Sequence, residues 1–460
     1  MKITIDEIVK AIGADIVQKG TATEITSVSI DTRTLKAGDL FIAIKGPHFD
    51  GHEFMNEAIS KGACGIVQSE KRKAQSGGIW EIAVDDTTHA LGDIAACWRK
   101  KVFPLCIAVT GSNGKSTTKE MIASSFSATR RVIKTEGNFN NLIGLPLQVL
   151  KLEPSHEVAI FEMGMSAERE IKRLTEIAMP DIGLITNINP AHLEKLHTVE
   201  NVARAKGELF TAMRKDGTAV VNAEDPWAVE LGKSYSGKKI TYGMQNDCDV
   251  RFGRMISENL DKTDLTFYVG GREYAARLPV PGVHNVMNAL AAVAVGVAAG
   301  VKVITMIPGL ESFSAMRMRM EHVQLLNGIQ LVNDSYNANP SSMYAALRTV
   351  GSAKKAGRFI AVLGEMLGLG EVASEKHREL GTAAAEFGVS RLFVTGEHAS
   401  DVKEGAASKG LKDASVLGDI EKLKKAVLDE IRTGDVVLIK GSRGMQMERV
   451  AEYLKNKVGV

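Results

Sequence analysis

Eight consecutive residues, Thr110-Gly111-Ser112-Asn113-Gly114-Lys115-Ser116-Thr117, combine glycines, a lysine and hydroxyls directly after an apolar run. Glycines let backbone N–H groups curl around phosphate oxygens. A helix starting there adds the positive end of its dipole, and Lys115 can reach the β- and γ-phosphates. The hydroxyl of Ser116 or Thr117 suits a Mg²⁺ ion. The general G-x-x-x-x-G-K-[ST] spacing asks for Gly where this chain has Val109. Such a loop serves kinases, GTPases, motors and ligases alike. Further along, Glu162 in Phe-Glu-Met-Gly closes another apolar run and is a candidate Mg²⁺ ligand. His192 ends Thr-Asn-Ile-Asn-Pro-Ala-His, and Lys206 sits in Ala-Lys-Gly-Glu. Alone, a loop histidine is ordinarily solvated and a helical lysine ordinarily marks a wet face.

These residues need elements to hold them. The run 105–109 is continuously apolar, as in strands buried on both faces, and the loop follows at once. Runs at 158–161, 182–185 and 218–221 alternate with helical patterns at 167–177 and 199–213, which predicts a mostly parallel sheet. A strand ending at Glu162 would aim its carboxylate at the crevice beyond the strand's carboxyl end. Before this unit, a helix over 5–12 and strands at 27–30 and 40–44 precede a loop at Gly46, Pro47, Asp50 and Gly51. A helix over 87–101 connects to the central unit ahead of Pro104. After it, strands at 329–332, 359–363, 391–394 and 436–439 alternate with helices at 341–349, 374–386 and 420–431, a small doubly wound sheet. The expectation is an α/β chain of three domains, 1–84, 85–314 and 315–460.

Composition agrees. The chain has 460 residues, 57 Lys+Arg against 55 Asp+Glu for a net charge of +2, 24% charged and 44% hydrophobic residues. That balance excludes disorder and gives no electrostatic signature of nucleic-acid binding. Cys64, Cys97, Cys106 and Cys248 lie far apart without C-x-x-C spacing, so they read as free thiols in a reducing compartment. The N-terminus lacks a secretory pattern, and a cytoplasmic protein is expected. The apolar run 289–301 is shorter than the ~20 residues that span a bilayer and predicts a buried Ala-rich helix, not membrane insertion.

Taken together, the motifs resemble those of the Mur ligases, the ATP-dependent amide-forming enzymes of peptidoglycan synthesis. The likeness covers essentially the whole chain. It rests on T-G-S-N-G-K-S-T at 110–117, F-E-M-G at 161–164, T-N-I-N-P-A-H at 186–192, A-K-G-E at 205–208 and H-N-V-M-N-A-L-A-A at 284–292. M-R-M-E at 318–321, N-D-S-Y-N-A-N-P-S-S-M at 333–343, L-G-E-M-L-G-L-G at 363–370 and K-G-S-R-G-M-Q-M-E at 440–448 complete it. The family member that adds the third amino acid carries Asn-Pro-Arg in its C-terminal domain, whereas this chain has Gly364-Glu365-Met366-Leu367-Gly368-Leu369-Gly370 there. That stretch is similar to the dipeptide-adding member.

The resemblance implies a UDP-binding N-terminal domain, a central ATPase domain and a Rossmann-like C-terminal domain. Its implied substrates are UDP-MurNAc-tripeptide and D-Ala-D-Ala, with ATP, two Mg²⁺ ions and a CO₂-derived carbamate on Lys206. A monomer is expected. By resemblance Thr110 to Thr117 hold the phosphates. Ser116 or Thr117, Glu162, His192 and carbamylated Lys206 serve the metals. Asn285, Asn288 and Asp334 meet the nucleotide, and Arg319 reaches the transferred phosphate. Ser29, Asp31, Thr32, Arg33 and Gly46 fall in the uridine region, with Thr32 where Ser is frequent. Asn138, Asn140 and Asn141 fall near the substrate phosphates and sugar, and Tyr336, Asn337, Asn339 and Arg443 are assigned to D-Ala-D-Ala. The alternatives are another amide ligase of the same fold, such as a folate polyglutamate synthetase, or a phosphate-loop switch that needs no acceptor amine.

Overall fold

The computed structural model describes residues 1–47, 49–69, 78–190, 193–354 and 356–460. Three large sheets organise the chain, beside a two-stranded antiparallel pair of Ile3–Thr4 with Glu24–Ile25. The first has five strands in the order Asp15–Gln18, Trp80–Ala83, Gly65–Gln68, Leu40–Ile42 and Val28–Ser29, parallel except for the first. Its leading helix Ile5–Ile12 begins with a reciprocal capping box between Thr4 and Glu7 and stops at Gly13, where φ is +59°. Ile5 and Ile8 are buried in a core that continues through helix Thr87–Arg99 to one face of the central sheet.

Nine strands form the central sheet: Arg272–Leu278, Thr263–Val269, Val250–Glu258, Lys238–Gly243, Thr218–Asn222, Ile182–Ile185, Leu105–Thr110, Val158–Glu162 and Val132–Lys134. From Val132–Lys134 to Val250–Glu258 every pairing is parallel; the last two are antiparallel. The sequence reading did not find this antiparallel extension, although Gly270 and Gly271, both at positive φ, supply the two-residue hairpin turn between its outer strands. The strands alternate burial and exposure because one face is open, so they lack the apolar runs that marked the inner strands. The expected Ala-rich helix runs Val283–Ala298, buried throughout 288–296, and the chain leaves it at Gly300 with φ +70°.

The third sheet runs Glu321–Gln324, Gln330–Asn333, Val436–Lys440, Phe359–Leu363, Arg391–Val394 and Ala414–Val416, parallel but for its first edge strand. Alternate strand residues go to opposite faces. Ala361 and Leu363 pack with helices Pro340–Ala353 and Ala373–Glu386, whereas Ile360 and Val362 pack with Ile420–Glu430 and Glu448–Val458. Among the described residues no helix is long and apolar enough to cross a membrane.

Candidate active site

A cavity of about 850 Å³ lies where the central sheet meets the third unit. Its floor is the phosphate loop. Val109, the departure from the general pattern, is a wholly buried strand residue in register with Glu162 and Leu184, so the bulky side chain packs in the sheet and the loop proper begins at Gly111. Gly111 has φ +145°, and a Cβ there would lie 1.9 Å from Thr186 Oγ1; at Gly114, with φ +80°, it would lie 2.4 Å from Asn288 Oδ1. Only glycine fits both positions.

Two lysines converge on this loop. Lys115 Nζ donates to the Gly111 carbonyl at 2.7 Å, and Lys206 Nζ donates to the same oxygen at 3.1 Å. Burial pulls the Lys115 pKa down, with Glu162 opposing the shift. Lys206 is only 2% exposed on the inner face of helix Val199–Ala212, not on its wet face. Burial, and then the neighbouring Lys115 charge, hold its amine well below the ordinary lysine value.

Glu162 closes strand Val158–Glu162 and is nearly fully buried. Its Oε1 accepts from Asn140 Nδ2 at 2.8 Å. Its Oε2 has no hydrogen-bond partner among the described residues and lies 3.8 Å from the buried Lys119 ammonium. A buried carboxylate oxygen without a hydrogen-bond partner, on a cavity that Ser116 and Thr117 also line, fits a hard divalent cation. Across the cavity Arg319 Nη2 donates to Ser116 Oγ at 3.0 Å, with its guanidinium 4.0 Å from the Tyr336 ring centroid. Asp334 pairs with Lys440 at 2.6 Å. Asn288 Nδ2 donates to Asn285 Oδ1 at 3.2 Å, and Thr118 Oγ1 donates to Asn288 Oδ1 at 3.2 Å, which ties the Ala-rich helix to the phosphate-loop helix Lys115–Ser127.

Family models match in three places: the Mur ligase middle domain at 109–296, the Mur ligase glutamate ligase domain at 318–443 and the Mur ligase family catalytic domain at 24–99. The chain is 37% identical to the UDP-N-acetylmuramoyl-tripeptide–D-alanyl-D-alanine ligase of Bacillus subtilis over 94% of its own length and 93% of that protein's. The chain belongs to the Mur ligase family. Its fold superposes on a crystal structure of MurF from Acinetobacter baumannii with a TM-score of 0.92 at 29% identity, covering 99% of each chain. A MurF ligase from Thermotoga maritima in complex with ADP gives 0.85 at 28% identity, covering 94% of this chain and 97% of that one.

Not every residue singled out in the sequence reaches the cavity of this Mur ligase. Asn140, Asn141, Tyr336, Asn337 and Asn339 line it. His192 lies outside the described residues. Asn339 is otherwise engaged: its side chain caps helix Pro340–Ala353 and donates to Asn113 Oδ1 at 2.7 Å. Arg443 is turned to Glu448 at 2.9 Å and is not in the cavity wall, nor is Asn138. Ser29, Asp31, Thr32, Arg33 and Gly46 sit on the first sheet and its loops, away from the cavity; there Arg33 grips the Asp31 carboxylate and holds its pKa down to about 2.

Sequence reasoning gave no role to the residues that brace the loop of this Mur ligase. Asn113 N donates to Asn187 Oδ1 at 2.9 Å, Ser112 N to the Asn187 carbonyl at 2.8 Å, and Thr186 Oγ1 to the Asn113 carbonyl at 2.6 Å. Two loop N–H groups are therefore held by Asn187. The signal was present in Thr-Asn-Ile-Asn, whose short polar side chains commonly bond nearby backbone.

Proposed function

We propose that this protein joins D-alanyl-D-alanine to UDP-MurNAc-tripeptide at the expense of ATP, forming the pentapeptide nucleotide, ADP and phosphate. The observation that carries this reading is the meeting, in one cavity, of Lys115, Glu162 and Lys206 from the central unit with Arg319 and Asp334 from the third. The named relatives at high coverage support the same substrates.

The reaction must bring a carboxylate against a polyanionic triphosphate. The tripeptide carboxylate oxygen attacks the γ-phosphorus, the bond to the ADP oxygen breaks, and an acyl phosphate forms. The D-Ala-D-Ala amine then attacks the acyl carbon, loses a proton and expels phosphate. Lys115 and Arg319 supply positive charge from opposite walls, which offsets the repulsion and stabilises charge on the equatorial oxygens. Asp334 is assigned to the ribose end of ATP and Asn285 with Asn288 to its base and phosphates.

Glu162, Ser116 or Thr117, His192 and Lys206 would hold Mg²⁺. When bound, the metal neutralises phosphate charge. Lys206 suits a carbamate because burial lowers its pKa and so favours the neutral amine, the form that adds CO₂; loss of a proton then gives an anion in place of a cation. The first sheet, with Ser29, Asp31, Thr32, Arg33 and Gly46, is assigned to uridine, and we place the protein in the cytoplasm.

The test is phosphate release from Mg·ATP by the purified chain, with UDP-MurNAc-tripeptide and with or without D-Ala-D-Ala, the product identified by mass. Release that requires both substrates and yields the pentapeptide nucleotide is expected. Release indifferent to both would reject the ligase in favour of a plain phosphate-loop NTPase.

A further inference from the structure

One buried cation in the cavity wall has no part in the chemistry above. Lys440 ends strand Val436–Lys440, which pairs in parallel with Gln330–Asn333, so it stands beside the residue that follows that strand, Asp334. It is 3% exposed. Its Nζ donates to Asp334 Oδ2 at 2.6 Å, to the Asp334 carbonyl at 3.3 Å and to the Asn337 carbonyl at 3.0 Å. An ammonium has three protons, and all three are used within one loop. Lys440 is thus a clamp on 334–337 and has no donor left for a phosphate.

That loop in turn holds the segment bearing Arg319. Asp334 Oδ1 accepts from Met320 N at 3.0 Å, and Tyr336 N donates to the Met318 carbonyl at 3.0 Å. Met318 and Met320 have φ of +59° and +50°. L side chains seldom adopt this left-handed region, and such residues persist only where their surroundings over-determine them. Both strained residues flank Arg319, and both are bonded to the loop that Lys440 clamps. The Tyr336 ring, from the same loop, faces the guanidinium.

We infer that Lys440 is a positioning residue: by clamping the 334–337 loop it enforces the 318–320 backbone that delivers Arg319 to the phosphate loop, and it aims Asp334. The inference rests on the proposed role of Arg319 in phosphoryl transfer.

A double-mutant cycle tests it. Lys440→Met, Arg319→Ala and the double variant are made in the full chain and assayed with Mg·ATP and both substrates. Values of kcat, KM for ATP and thermal midpoint are recorded. Lys440→Met is expected to lower kcat by about tenfold to hundredfold, as for a small misplacement of a reacting group, and to raise KM for ATP through Asp334. On the Arg319→Ala background it should raise KM again but leave kcat unchanged. A merely structural lysine would lower kcat by the same factor on both backgrounds, and that result, or an unchanged kcat in Lys440→Met alone, overturns the inference. Arg319→Ala with near-wild-type kcat would reject the reading of Arg319 and the inference with it. Should Lys440→Met fail to fold, Lys440→Gln, which keeps an amide donor, goes through the same cycle under the same criteria.

Discussion

Lys206 shows how burial and a neighbouring charge lower the pKa of an ordinary side chain. In the unfolded chain its amine keeps a proton up to about the ordinary 10.5; in the folded chain burial and Lys115 remove it at much lower pH. The unfolded state binds the extra proton across that window, so stability rises with pH there, by up to about 1.4 kcal/mol per pH unit. Lys206→Ala deletes this titration and carries two readouts. In CO₂-free buffer the wild-type minus variant difference in unfolding free energy should climb as pH rises toward the ordinary lysine value; a flat difference would mean the folded amine keeps its proton. Ligase activity of the variant should fall by about 10–100-fold, the scale for losing support of a metal site, and a short carboxylic acid should restore part of it. Full activity without the acid would reject the carbamate. Glu162 is buried too: one carboxylate oxygen accepts from Asn140, and the other has no hydrogen-bond partner among the described residues.

Among elements, the strand-loop-helix 105–127 works only because its neighbours leave no slack. Thr186 Oγ1 occupies the space where a Cβ on Gly111 would fall, and that hydroxyl is itself bonded to the Asn113 carbonyl. Gly111→Ala therefore meets both a left-handed φ and a collision with a group that cannot turn away. We expect a loss of about 1–3 kcal/mol in denaturant unfolding, the scale of overpacking, together with weaker ADP binding by calorimetry. Unchanged binding would show that the loop can shift without consequence. The elements were largely legible beforehand because their signals are local. The apolar run before the loop and the alternation of strands and helices appear within a few residues of their expected bounds, and the Ala-rich helix is present but starts six residues before the expected 289, at Val283. The antiparallel strands between 250 and 278 did not, since half-exposed strands carry a weaker pattern and only the Gly-Gly turn marks them.

At the scale of the whole molecule, the site exists only where two units touch. Asn113 in the phosphate loop donates to Ser341 Oγ at 2.7 Å, and Arg319 reaches Ser116 from the same side. The third unit thus senses the loop through a few polar contacts. Ser341→Ala removes two neutral hydrogen bonds, the one from Asn113 and the one that Ser341 Oγ donates to Asn339 Oδ1 at 3.0 Å; the first, the contact to the phosphate loop, is worth about 0.5–1.5 kcal/mol, so KM for ATP should rise about 2–10-fold. Its unfolding midpoint should stay near wild type, because Asn339 still caps the helix. A KM equal to wild type would indicate that this contact is not made in the nucleotide complex.

By itself the sequence determined the phosphate loop, the strand and helix that present it, the parallel α/β architecture and the motifs that mark a Mur ligase. These are set by neighbours in the chain: glycine φ preferences, apolar periodicity and caps act over a few residues. Only the tertiary structure decided which of the polar residues act on one another. Lys206 meets the Gly111 carbonyl across 95 positions, Lys440 meets Asp334 across 106, and Arg319 meets Ser116 across 203. No local pattern encodes such pairs, and neither does it encode the burial that lowers the Lys206 pKa. Both arise when the central and third sheets meet around one cavity and water is removed from between them.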